Sequence, residues 1–98
     1  MMTLADARRK IDSMLIELGK HVAGGVVVLE ERTITKPYGW IFFYSGKRYV
    51  ETGDIMTAIA GNGPIVILAE TGEAITLGTA RRPTEEIVRF EERRDLTP

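Results

Sequence analysis

The chain has 98 residues, enough for one domain with one modest core. It contains no cysteine, which excludes disulfides, thiolate zinc sites and a thiol nucleophile. Thirteen basic and fourteen acidic residues leave a net charge of −1, which argues against an electrostatic nucleic-acid binder. The charges are uneven: residues 1–49 carry eight Lys/Arg and five Asp/Glu, whereas residues 50–98 carry five and nine. The longest apolar runs, Val26–Leu29, Trp40–Tyr44 and Ile65–Ala69, are strand-length and cannot span a bilayer. Met1 to Lys20 has no uninterrupted apolar stretch of the signal-peptide kind. A soluble, cytoplasmic protein with no membrane partner is therefore expected.

Thr3 to Leu18 reads as an amphipathic helix. Leu4, Ala7, Ile11, Met14, Leu15 and Leu18 recur at three- and four-residue steps and form one apolar stripe. Thr3 is placed as N-cap with Asp6 three residues on, a variant of the capping box. Gly19 is placed to end the helix, and Gly24-Gly25 marks a loop. Four strand-like segments follow. Val26–Thr33 begins β-branched and ends polar, and Thr35–Gly39 predicts a turn. Trp40–Ser45 is almost wholly apolar, as a central strand covered on both faces would be. Alternation places Trp40, Phe42 and Tyr44 on one face and Ile41 and Phe43 on the other. Residues 46–63 include four glycines and read as a long loop, with one helical turn at Ile55–Ala60. Ile65–Ala69 and Ala74–Leu77 flank Glu70-Thr71-Gly72-Glu73 and predict a hairpin. Pro83 to Arg94 predicts a C-terminal helix with acids in its first turn, bases in its last, and Ile87 and Phe90 as core anchors.

The expected fold is α+β. One domain over residues 1–98 would hold a four-stranded, mainly antiparallel sheet, the N-terminal helix on one face and a short C-terminal helix. Its core is expected to include Leu4, Ile11, Leu15, Val28, Ile41, Phe43, Val66 and Leu68.

No catalytic set stands out. The single histidine, His21, falls just past a helix end, and nothing in the sequence couples it to Ser13 or Ser45. One histidine without thiols makes a poor zinc site, so no metal or cofactor is expected. Glu51 and Asp54 bracket Gly53 and could do acid–base work or bind a divalent ion, but carboxylates beside a glycine are ordinarily turn residues. Gly61-Asn62-Gly63-Pro64 lacks the lysine and spacing of a phosphate loop and precedes a strand rather than a helix. A tight turn with positive φ angles at Asn62-Gly63, closed by Pro64, is the structural reading. The aromatics between Tyr38 and Tyr49 could stack bases, but such a surface should also be basic.

An ordered series of motifs then points to a family. Tyr38-Gly39-Trp40-Ile41-Phe42-Phe43-Tyr44 is followed by Lys47-Arg48-Tyr49-Val50-Glu51-Thr52-Gly53-Asp54. Ala60-Gly61-Asn62-Gly63-Pro64-Ile65, Thr71-Gly72-Glu73, Leu77-Gly78-Thr79-Ala80 and Pro83-x-Glu85-Glu86 come after it. The series resembles the immunity protein 35 family of bacterial toxin systems, over roughly residues 25–92. The resemblance implies a small α+β cytoplasmic protein, not an enzyme, that neutralises a cognate protein toxin by direct binding. A stand-alone, chaperone-like binder is the alternative, and a homodimer is compatible with either. Gly39, Trp40, Gly53, Gly61, Gly63, Pro64 and Gly78 are expected to be structural positions of the motifs. Arg48, Tyr49, Glu51, Asp54 and Asn62, in the loop from Gly46 to Gly63, are the candidate partner contacts. The outer face of the C-terminal helix around Glu85, Arg89 and Glu92 is the next choice.

Overall fold

The computed structural model describes residues 1–53 and 63–98. Helix α1 (Leu4–Leu18) opens on a capping box: Thr3 Oγ1 accepts from the Asp6 N–H, and the Asp6 carboxylate accepts from the Thr3 N–H. Two otherwise unpaired donors are thereby satisfied, and these hydrogen bonds from Thr3 hold the Asp6 carboxyl below the usual carboxylate range. Gly19 caps the other end, its N–H donating to Leu15 O at 2.9 Å.

Strand β1 (Val26–Val28) stops sooner than the sequence suggests. Glu30, Glu31 and Arg32 follow it, and three polar residues in succession have no apolar set to place on a buried face. The chain turns there through one 3-10 turn (Glu30–Arg32), then forms β2 (Ile34–Lys36) where a turn was expected. Pro37 and Tyr38 join β2 to β3 (Gly39–Phe42). The predicted strand Trp40–Ser45 is two strands, β3 and β4 (Tyr44–Gly46), that change partner at Phe43. Before Phe43 the backbone pairs with β2 and β5 (Ile65–Leu68); after it, with β1. The Phe43 carbonyl marks the switch by accepting from the Leu29 N–H at 2.8 Å.

Helix α2 (Lys47–Thr52) replaces the first part of the expected loop. The hairpin of β5 and β6 (Ala74–Thr76) turns at Glu70–Glu73 as predicted, and α3 (Pro83–Arg93) closes the chain. The expected helical turn at Ile55–Ala60 lies outside the described residues.

The described strands form an antiparallel four-stranded sheet, in the order β2-β3-β5-β6, and a two-stranded β1-β4 ribbon. In the central pair Trp40 faces Ile67, Ile41 faces Val66 and Phe42 faces Ile65. Opposite residues share a sheet face, so this register supplies two cores. Phe42, Ile65 and Ile67 pack with Ala7, Ile11, Leu15, Val28 and Tyr44, beneath α1. Ile41 and Val66 pack with Leu77 and with Ile87 and Phe90 of α3.

Ile11, Leu15, Val28, Ile41 and Val66 are buried as expected. Leu4 is not: it is 49 % exposed, because it stands in the first helical turn, where Met2 packs against the core instead. Phe43 and Leu68 are only partly buried, at the margin of the α3 core.

Two glycines of the expected structural set allow backbones to approach. Gly39 has φ +153°, and a Cβ there would lie 2.0 Å from the Ile67 carbonyl oxygen. Gly63 lacks the positive φ expected of it. Its constraint is proximity, because a Cβ would lie 1.9 Å from Leu77 O, beside the bond that Leu77 N–H donates to Pro64 O at 2.8 Å. Trp40 is half-buried on the α1 core and Pro64 is buried before β5.

Ile11 and Leu4 separate the two ends of the stripe. Ile11→Ala should lower unfolding free energy by about 2–5 kcal/mol in urea denaturation, whereas Leu4→Ala should cost less than about 1 kcal/mol.

Candidate partner-binding site

The candidate contacts gather on α2 and the surface beside it. Gly46 ends β4 and is also the N-cap residue of α2, so the helix leaves the ribbon without a linker. Thr52 Oγ1 donates to the Arg48 carbonyl at 2.6 Å. Gly53 ends the helix in the left-handed conformation, its N–H donating to Tyr49 O at 2.7 Å. Arg48 and Glu51, three residues apart, are exposed, and Tyr49 is half-buried. The Arg48 stem lies across Gly24, where a Cβ would meet Arg48 Cγ at 2.8 Å.

Tyr49 and Val50 border a groove of about 300 Å³ that also takes in Leu29, Arg32, Phe43 and Pro64. The Arg32 guanidinium sits 4.6 Å from the centre of the Phe43 ring, so the wall is both cationic and aromatic. Half-buried aromatics beside an arginine are the surface chemistry on which protein interfaces anchor. Asp54, Gly61 and Asn62 lie outside the described residues. Arg48, Tyr49 and Glu51 are thus brought together, on a short helix rather than in a loop.

Leu29, Arg32, Phe43 and Val50 are not among the contacts expected from sequence; Phe43 is expected in the core, and Val50 stands only within a motif. The bracketing of Lys47–Thr52 by Gly46 and Gly53 was the available signal for α2, and an arginine one strand-length from an aromatic run is too common a pattern to reveal the rest.

Elsewhere the outer face of α3 presents Glu85, Arg89 and Glu92 with Val88, which is 51 % exposed, along a shallow groove. His21 is exposed beyond α1. Among the described residues no three His, Cys, Asp or Glu side chains cluster to hold a metal ion, and no helix is long and apolar enough to cross a membrane.

The sequence pattern of the immunity protein 35 family matches residues 5–89, from the first turn of α1 into α3. The chain belongs to that family. It is also 44 % identical over 48 residues to a protein of Escherichia coli (strain K12) named "Uncharacterized protein YrhB". The aligned part is 49 % of this chain and 50 % of that protein, so the chain spans about half the length of the curated relative it matches. No solved structure matches the chain.

Two buried glutamates sit within or just beyond the immunity protein 35 match. Glu86 and Glu91 flank Ile87 and Phe90 and share the inner face of α3. Glu91 accepts from Tyr38 Oη at 2.8 Å and pairs with Lys36 Nζ at 3.1 Å, tying β2 and the β2–β3 turn to α3. Glu86 lies against Gly78, where a Cβ would come within 3.2 Å of Glu86 Oε2. Arg81 Nη1 stands 3.5 Å from Glu86 Oε1, a charge contact, although that oxygen accepts no hydrogen bond.

Burial, with the Glu91 carboxylate beside it, raises the Tyr38 phenol above the usual tyrosine range. The neutral phenol is favoured by folding, so its contribution is complete below the unfolded tyrosine pKa and is lost as pH rises through the folded one. Stability should therefore fall above about pH 10, and Tyr38→Phe should flatten part of that fall. Thermal melts of both proteins between neutral and strongly alkaline pH measure it.

Proposed function

We propose that this chain is an immunity protein that binds a cognate bacterial toxin in the cytoplasm and blocks it by occupying its surface. The family match over residues 5–89 carries this reading. The protein's own chemistry supports it: no nucleophile–base set was found in the sequence, and the net charge of −1 suits a protein partner better than nucleic acid. We place the toxin contact on α2 and its groove. Tyr49 is the anchor there, with Arg48 and Glu51 as the charge partners that select orientation.

Co-expression with a candidate toxin taken from a neighbouring gene is the direct test. Cells should survive induction of the toxin only when this chain is present; death at the same rate with and without it removes the immunity reading. The site is tested separately on purified proteins. Tyr49→Ala should weaken toxin binding by more than about 1 kcal/mol, a rise in Kd of about fivefold or more, with an unchanged melting temperature. Normal binding by a folded Tyr49→Ala variant, with loss on Arg89→Ala, would move the contact to the outer face of α3.

A further inference from the structure

The strand β1 is three consecutive valines, and among the described residues it pairs with β4 alone. The Lys47 N–H donates to Gly25 O and the Leu29 N–H to Phe43 O. These bonds set the alternation along the ribbon: Gly25, Val27 and Leu29 turn their backbone groups toward β4, and Val26 and Val28 turn theirs to the outer edge. Exposed edges in soluble proteins ordinarily carry a proline, a lysine or a bulge that discourages pairing. The three residues of β1 carry none.

This edge borders a groove of about 430 Å³ whose other wall is α1, with Arg8, Asp12 and Ile16. Ile16 is 72 % exposed, more than any other large apolar side chain in a described helix or strand. Across the groove α1 runs antiparallel to β1. A Cβ on Gly19 would meet the Val26 side chain at 3.0 Å, and Arg8 pairs with Glu30. With a rise of about 1.5 Å per helical residue and about 3.3 Å per strand residue, Ile16 stands near the level of Val27.

Charge is graded along the same line. Lys47 lines the groove at the Val26 end, and Arg48 lies over Gly24 next to it. At the Val28 end Arg8 is flanked by two carboxylates, Asp12 at 3.2 Å and Glu30, which leaves that end acidic.

We propose that this edge is the interface of a two-fold homodimer in which β1 pairs antiparallel with β1 of a second copy. An axis through Val27 sets Val26 opposite Val28 of the partner subunit, so the outward backbone groups of each meet those of the other. The same rotation lays the basic end of each groove against the acidic end of its partner, and it brings both Ile16 side chains toward the axis. Hydrogen bonding, charge and apolar surface are self-complementary under one operation, which makes a second copy the occupant. The ladder is short, so the dimer should be reversible, with a micromolar Kd. This inference does not depend on the immunity reading.

Sedimentation velocity of the full chain, from low micromolar to submillimolar concentration, should show a monomer–dimer equilibrium. Ile16→Asp, a change at a solvent-facing position, should raise the dimer Kd by at least about tenfold while circular dichroism stays unchanged. Lys47→Glu and Glu30→Lys should each weaken the dimer alone. An equimolar mixture of those two variants should recover it, because both contacts of the mixed dimer again join opposite charges. A monomer at every concentration overturns the proposal, as does a dimer indifferent to Ile16→Asp, or a mixture that fails to recover. A monomeric chain whose Ile16→Asp variant loses toxin binding would assign the edge to a strand of the toxin and equally end the dimer.

Discussion

The rest of the fold depends on the pairing of β3 with β5. Both strands are apolar on both faces, and their register sorts the side chains into two sets: Phe42, Ile65 and Ile67 on one side, Ile41 and Val66 on the other. A sheet with one apolar face needs one covering layer; this sheet needs two, and α1 and α3 are those layers. The pairing in turn requires Gly39, because any side chain there would collide with the Ile67 carbonyl. One backbone approach therefore underlies two cores, and the order of the flanking elements follows from it.

The parts of the fold that could be read in the sequence are those whose signal is local. The Thr3–Asp6 box, the stripe Ala7–Ile11–Leu15 and the turn at Glu70–Glu73 rest on spacing and capping within a few residues. The parts that could not be read depend on partners distant in sequence. Ile34-Thr35-Lys36 is too short and too polar to announce a strand, and it is one because β3 lies beside it. Residues 47–52 lack an apolar stripe, so α2 shows only in its bracketing glycines. The alternation in β3 separated two sets of side chains correctly but could not say which helix takes which set, since both are apolar.

The candidate site shows the same division. Arg48, Tyr49 and Glu51 were found as residue types, but their common helix and its groove arise from the turn of Gly46 out of β4. Glu86 reads from sequence as a first-turn acid, and Glu91 carries no signal of its own. Their burial follows from helical geometry, because residues flanking the pair Ile87 and Phe90 share the inward face whatever their polarity.

The turn at Glu70–Glu73 has a further consequence for how the two helical layers are held. Lys10 Nζ donates to the Gly72 carbonyl, the Met2 N–H to Ala69 O at 2.8 Å, and Arg94 forks onto Glu73 at 3.1 and 3.2 Å. Helix α1 is therefore fastened to a loop some sixty positions downstream, a separation of 62 residues for Lys10 and Gly72. Val28, Phe42 and Tyr44 cover part of the stripe Ala7–Ile11–Leu15, but Ile65 and Ile67, on the strand that leads into that loop, are needed to complete its core. Both α1 and the end of α3 are tied to the same few residues, so a change that loosens this turn should loosen both helical layers together.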